Sequence, residues 1–344
     1  MPDQIHILFI GATGYIGGTF LHRILEHLAA STLKITTLVR CREKAQKLRM
    51  LNLGINILEG SSEDIALLEE LAEKADIYIN AYSSDDFSGT EAILRGLKTR
   101  HKNTGRKPAI IHLSGAAVIV DDAWGKSSCT VYDDVDCEQM AAIPITQLHR
   151  NVDSELVNAD EEGYIRSYII IPGAIFGTSS GVLSRAEIRR SNFPIMNILT
   201  PPARDHGTGV IVGEGYNRWP VVDINELGDL LILVFSNVVS TPVLPHGKNG
   251  YLFAENGEIA LRDLAKAMTK GIKRGNDGTG DEDEIISLTD DELNRYLSLY
   301  EIRRAISGNA RCRGTRARQL GWVPVRGAKD FLEDMERIAA AIGQ

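Results

Sequence analysis

Three things are scarce in this 344-residue chain, and each scarcity excludes something. Only four cysteines occur, Cys41, Cys129, Cys137 and Cys312, with no Cys-x-x-Cys pair among them. The histidines are equally scattered. Neither a disulfide framework nor a zinc site is expected, and a reducing, cytoplasmic compartment fits this usage. No apolar run approaches the roughly 18 residues of a membrane span. The first strand starts at Ile5, so a charged, apolar and cleavable leader is not expected. Positive charge is in deficit: Lys and Arg number 38 against 46 Asp and Glu, giving a net charge of −8 and a pI near 5.6. Nucleic acid and anionic membrane surfaces are therefore not expected partners. Hydrophobic content of 43% is ample for a core, and no internal repeat is present.

What the chain does have is a punctuated stretch near its start, IHILFIGATGYIGGTFLHRILEHL. Ile5 to Ile10 reads as a buried strand, and Ile16, Phe20, Ile24 and Leu28 recur at helical spacing beyond it. Between them, Gly11, Gly14 and Gly17 fall where the backbone must do unusual things. Gly11 permits a tight turn, Gly14 lets the chain approach a pyrophosphate, and Gly17 lets the helix pack closely on the strand. A helix N-terminus with its dipole then faces the phosphates. Strand, glycines and helix together satisfy the context test for a dinucleotide site. The second strand, Lys34 to Val39, ends in Arg40 with no Asp or Glu at its tip. An acid there serves ribose hydroxyls and an arginine serves a 2′-phosphate, which favours NADP while leaving NAD possible.

Further strands are expected at Ile55–Leu58, Asp76–Asn80, Ala109–Leu113 and Tyr164–Ile171. Helices are expected at Ile65–Lys74, at Thr90–Arg100 and from Pro144 through a stripe of Ile145, Leu148, Val152 and Leu156. This alternation predicts an α/β fold, a Rossmann-type doubly wound parallel sheet. Asp121 to Ala142 reads as a long loop holding a short helix. After Gly177 the alternation is lost and Pro201-Pro202 interrupts, as in a smaller C-terminal substrate lobe. The expected division is 1–177 for the dinucleotide-binding domain and 178–344 for the lobe, with segments around 219–240 returning to the first domain. Lys273–Glu284 reads as a Gly-rich acidic surface loop, and a last helix is expected over Ala328–Ile342.

GATGYIGG, DIYINAYSS, IIHLSGAAVI, IIIPGAIFG, GEGYNRWPVVDINELGDLL and RQLGWVP together resemble the extended and atypical short-chain dehydrogenases/reductases. This is the NAD-dependent epimerase/dehydratase-like group; HRNVDSELV and the late LGW are similar to a fungal, NmrA-like branch. The resemblance implies nicotinamide-dependent chemistry on a small-molecule carbonyl or alcohol. It also implies a Ser after the fifth strand and a Tyr-x-x-x-Lys on the next helix, the Lys lowering the phenol pKa for proton exchange. None of the ten tyrosines has Lys four residues later. In the corresponding columns stand His149 and Asp153, or Gln147 and Asn151, while Ser114 or Gly115 takes the serine position.

Two readings follow. In one, His149 and Asp153, four apart on a helical face, replace Tyr and Lys as general acid/base and orienter, with Ser114 beside them. In the other, the dinucleotide is a regulatory ligand of a redox sensor without catalysis. Candidate cofactor contacts are Gly11, Thr13, Gly14, Tyr15, Ile16, Gly17, Arg40, Ala81, Tyr82, Pro172 and Ala174. Candidate substrate contacts are Tyr82, Arg204 and Trp219. No metal is expected, and a homodimer is compatible with the pattern.

Overall fold

A computed structural model describes residues 4–186, 188, 194–240, 244–275 and 284–341. The first half alternates as its hydrophobic pattern dictates: β1 (Ile5–Ile10), α1 (Tyr15–Leu25), β2 (Leu33–Val39), α2 (Arg42–Met50), β3 (Asn56–Glu59), α3 (Ile65–Glu73), β4 (Ile77–Asn80), α4 (Phe87–Thr104) and β5 (Ala109–Leu113). Then come β6 (Tyr132–Asp133), α5 (Cys137–Ala141), α6 (Arg150–Glu161), β7 (Arg166–Pro172) and β8 (Ala174–Phe176). Next come α7 (Val182–Arg185), whose Leu183 still packs into the sheet's core, α8 (Pro194–His206) and β9 (Gly209–Ile211), followed by β10 (Arg218–Asp223) and α9 (Ile224–Ser240). Beyond these lie β11 (Tyr251–Ala254), β12 (Glu258–Ala260), α10 (Leu261–Gly275) and β13 (Ile285–Ser287). The chain ends in α11 (Asp290–Tyr296), α12 (Tyr300–Ser307), β14 (Cys312–Arg313), α13 (Thr315–Gln319) and α14 (Ala328–Ala339).

Seven strands form one parallel sheet in the order β11-β7-β5-β4-β1-β2-β3. It is buried on both faces, which is why β1, β5 and β7 are mostly apolar rather than strictly alternating, with His112 and Ser167 as buried polar exceptions. On one face Phe20, Leu21 and Ile24 of α1 meet Leu230, Leu231 and Phe235 of α9. Phe9 reaches through to this layer, its ring 5.8 Å from that of Phe20 in an edge-on pair. The opposite face is covered by Leu68 of α3, Ile93 and Leu97 of α4, and Val152 and Leu156 of α6. A third core, built on Met196, Leu199, Leu264, Met268, Phe331 and Met335, belongs to the lobe. Chain order reverses between β1 and β4, and the crevice at that switch point lies beyond the strand carboxyl ends.

The lobe is interleaved with the sheet in sequence. Besides β10 and α9, β11 returns as the edge strand beside β7, and Ala317 and Trp322 pack into the sheet's core. Two local expectations fail. Pro201 and Pro202 do not interrupt: both lie inside α8, because Met196, Leu199 and Ala203 are anchored in the lobe core and packing outweighs the two lost donors. The helix expected from Pro144 starts only at Arg150, and Ile145 of the supposed stripe is 60% exposed. Of the segments expected at Lys273–Glu284 and Ala328–Ile342, residues 276–283 and 342 lie outside the described residues. Among the described residues no helix is long and apolar enough to cross a membrane.

Candidate active site

The glycine turn divides its labour unequally. Gly11 has φ +91°, and a Cβ there would stand 2.3 Å from the backbone carbon of Ala81 at the end of β4. At Gly17 a Cβ would stand 2.1 Å from the Gly11 carbonyl oxygen. Both are demanded by the protein's own packing. Gly14 is not: its φ is −80°, and a Cβ would come no closer than 3.2 Å to the Gly11 oxygen, a tight but yielding contact. Its bare backbone keeps open the space in front of α1. No side chain caps that helix and no acid lies in its first turn. The positive end of the helix dipole is thus not neutralised by the chain's own side chains, an arrangement suited to an anion.

Beside this turn a cavity of about 420 Å³ opens between the sheet's carboxyl edge and the lobe. One end is walled by Ile16, Ser84, Ser114, Gly115, His149, Pro172, Gly173 and Ala174. The other is walled by Ile195, Ile198, Trp219, Ile259, Leu261, Ala305 and Ile306. The structure brings Ile16, Ser114, His149, Pro172, Ala174 and Trp219 together here, all named from sequence. Trp219 presents ring surface only, since its Nε1 donates to the Gly308 carbonyl at 3.0 Å.

The expected His149–Asp153 pair does not form. His149 precedes α6 in a left-handed conformation, φ +67°, which costs a non-glycine residue about 1–2 kcal/mol. Asp85, after β4, holds it there. One Asp85 oxygen accepts from the His149 backbone N at 3.1 Å and lies 2.7 Å from Nδ1, while Ser84 Oγ lies 2.9 Å from the same nitrogen. This tertiary anchor replaces a helical N-terminus and explains why α6 starts late. The hydrogen bond from His149 holds the Asp85 carboxyl below its ordinary range, against the opposing pull of partial burial. With Nδ1–H donated to Asp85, the lone pair of Nε2 remains at the cavity wall. Gly115 faces it, and a Cβ there would press on Nε2 at 3.0 Å.

Asp153 instead sits wholly buried behind the wall. Its Oδ2 accepts from Ser114 Oγ at 2.9 Å, and its Oδ1 lies 3.4 Å from Nε2 of buried His112. His112 Nδ1 in turn lies 3.1 Å from Nδ2 of Asn80. Asn80 also donates to the Ser83 carbonyl at 2.9 Å and accepts from the Tyr82 N–H at 3.1 Å, fixing the turn after β4. Asp153 therefore orients Ser114 rather than His149: with its proton committed, the Ser114 hydroxyl turns lone pairs to the cavity. Sequence reasoning missed Ser84, Asp85 and His112. A titratable His112 inside the apolar run AIIHL was a readable signal; nothing distinguished Asp85 from Asp86.

Other candidates are dispersed. Thr13 is half-buried in the glycine turn, and Tyr15 donates its hydroxyl to the Gly177 carbonyl at 2.5 Å. Ala81 packs its backbone against Gly11. Tyr82 does not line the apolar cavity; it borders a separate depression of about 410 Å³ with Glu63, Asp85 and Asp86. Arg204 lies on the exposed side of α8, away from the cavity. Arg40 is exposed at the tip of β2, without an ion pair among the described residues.

No family model matches the chain. An oxidase from Acremonium sp., ucsJ, is 28% identical over 337 residues, covering 93% of this chain and 92% of that protein. An uncharacterized protein of Saccharomyces cerevisiae is 21% identical over 331 residues, covering 92% and 94%. Among solved structures, dTDP-glucose 4,6-dehydratase from Bacillus anthracis, in complex with NAD, superposes with a TM-score of 0.62 at 12% identity, covering 97% of this chain and 96% of that one. UDP-glucose 4-epimerase from Thermotoga maritima, with UDP-glucose, gives 0.62 at 13%, covering 98% and 100%. UDP-glucuronic acid 4-epimerase from Bacillus cereus, with UDP-glucuronic acid and NAD, gives 0.62 at 11%, with the same coverage of 98% and 100%. The fold is thus the Rossmann-type fold shared by these extended short-chain dehydrogenase/reductase enzymes.

Proposed function

We propose that this protein is an NADP-dependent oxidoreductase interconverting a small-molecule alcohol and its carbonyl, with His149 in place of the Tyr/Lys pair. The observation that carries the reading is the imidazole of His149, braced on Asp85 and Ser84, with Nε2 at the wall of the cavity beside the glycine turn. The open space before α1 suits a pyrophosphate against Thr13, Gly14, Tyr15 and Ile16. Ala81 and Tyr82 at the end of β4, with Pro172 and Ala174 at the cavity, suit the remainder of a dinucleotide. Arg40 suits a 2′-phosphate. NAD bound in structures of this fold and an oxidase among the relatives support nicotinamide-dependent redox chemistry. The resemblance of HRNVDSELV and LGW supports an atypical, NmrA-like grouping, and the cysteine usage supports a cytoplasmic location.

When bound, a nicotinamide supplies the hydride acceptor or donor. The chain's own residues handle the proton. In oxidation Nε2 of His149 takes it from the substrate hydroxyl, Asp85 stabilising the imidazolium; in reduction the proton is returned. Ser114, its own proton on Asp153, lines the wall beside the reacting oxygen, so the hydroxyl proton has Nε2 as its partner.

Calorimetric titration with NADPH and NADH, followed by turnover of an alcohol panel, tests this. NADPH binds more tightly, and His149→Ala lowers turnover about 10²–10⁴-fold while leaving cofactor affinity unchanged. Full activity in His149→Ala sinks the assignment. Tight NADPH binding with no wild-type turnover favours the sensor reading, which the missing Tyr-x-x-x-Lys supports.

A further inference from the structure

The cavity is chemically two-sided. Its polar side chains are Ser84, Ser114 and His149, grouped by the Ser84–His149 contact and by Gly115 packing on the His149 ring, apart from the lobe-core aliphatics. Each is already engaged: Ser84 with His149, Ser114 with Asp153, His149 with Asp85. What remains for a ligand is one small oxygen-sized station at Nε2 of His149 and the lone pairs of Ser114. The far end is Ile195, Ile198, Trp219, Ile259, Leu261 and Ile306. The only polar atom of the Trp219 side chain is consumed by Gly308. No Lys, Arg, Asp or Glu borders the cavity among the described residues.

A sugar nucleotide brings several hydroxyls and a doubly charged pyrophosphate. Burying those against aliphatic side chains leaves polar groups unpaired, and charged groups cost the most. A hydrocarbon body gains from the same walls as its surface is removed from water. We infer that the substrate carries a single hydroxyl or carbonyl oxygen on an uncharged apolar body, and is not a sugar nucleotide. The inference deepens the proposed oxidoreductase reading of this site and rests on it for the identity of the reacting oxygen.

Trp219 provides a readout that needs no turnover. The probes are 2-decalol, a bicyclic ten-carbon alcohol, and UDP-glucose, each titrated into the NADPH-saturated protein and into the protein alone. Expected is quenching of indole fluorescence by 2-decalol, lost in Trp219→Phe, with UDP-glucose at least tenfold weaker. Ile198 is half-buried on α8 at the margin of the lobe core; Ile198→Asp weakens 2-decalol at least tenfold and leaves NADPH affinity unchanged, the latter reporting that the variant is folded. Tighter binding of UDP-glucose, binding of neither probe, or indifference of 2-decalol to Ile198→Asp overturns the inference. Failure of NADPH to bind sinks the oxidoreductase reading instead, and the quenching arm without cofactor still decides the substrate class.

Discussion

Nδ1 of His149 lies 2.7 Å from Oδ1 of Asp85, a residue 64 positions earlier and outside the expected helical pair. Two carboxylates thus compete in principle for the orienting role, and geometry assigns them different tasks. Asp85→Asn keeps a hydrogen-bond acceptor but removes the charge that favours imidazolium. It should lower kcat at least tenfold and leave NADPH affinity within a few-fold. Asp153→Asn should act on stability, by about 1–3 kcal/mol in urea unfolding, because a buried carboxylate between Ser114 and His112 is lost. A collapse of kcat in Asp153→Asn with Asp85→Asn fully active would return the orienting role to Asp153.

The three glycines should separate under substitution. Gly17→Ala drives a methyl into the Gly11 carbonyl, and Gly11→Ala adds positive φ to a clash with Ala81, so both should lower the melting temperature. Gly14→Val meets far less of the protein itself. It should melt within a few degrees of wild type while losing dinucleotide binding by calorimetry. Tight NADPH binding by a folded Gly14→Val protein would place the pyrophosphate elsewhere.

This contrast shows what was legible in the sequence. Strand–turn–helix punctuation is local, so Ile5–Leu28 and the later alternation could be read from spacing alone, and the parallel sheet followed. The helix start at Arg150 was not local. Ile145, Leu148 and Val152 satisfy a helical period, but Asp85 captures His149 in a left-handed conformation, and one tertiary contact overrides the pattern. α8 fails in the opposite sense, with lobe packing carrying a helix through Pro201-Pro202. Trp219, Ser114 and His149, which line one cavity, could be named from sequence because they sit in recognisable segments. Asp85 is one of two adjacent aspartates whose difference exists only in three dimensions.

Asp134 gives the fold a pH signature. It is buried, accepts from the Phe253 N–H at 2.9 Å and the Arg316 N–H at 2.8 Å, and has its carboxyl pushed up to about 6, chiefly by burial. The folded state therefore binds this proton more tightly than the unfolded chain, whose carboxyl titrates near 3.9. The stability contributed is complete below about pH 4 and lost as pH rises through about 6, up to about 3 kcal/mol. In denaturant titrations the advantage of wild type over Asp134→Asn should shrink between pH 4 and 7. A constant gap across that range would show that Asp134 does not titrate there.

On the proposed reading, Arg40 is the residue that selects between the two nicotinamide cofactors. It stands exposed at the tip of β2, immediately before the Cys41 cap of α2, and no carboxylate engages its guanidinium among the described residues. A guanidinium left unpaired at that position is poised for a phosphate dianion, with a charge-assisted contact worth about 1.5–3 kcal/mol. Arg40→Ala should therefore weaken NADPH roughly ten- to a hundredfold and leave NADH nearly unchanged. Because the contact is solvent-exposed, the wild-type preference for NADPH should also diminish as salt rises. Arg42 opens α2 two residues on and is exposed as well, so it supplies the control. A loss confined to Arg42→Ala moves the 2′-phosphate contact onto the helix. Equal losses of NADPH and NADH in Arg40→Ala, or a wild-type preference for NADH, would remove NADP from the assignment and leave the glycine turn serving NAD.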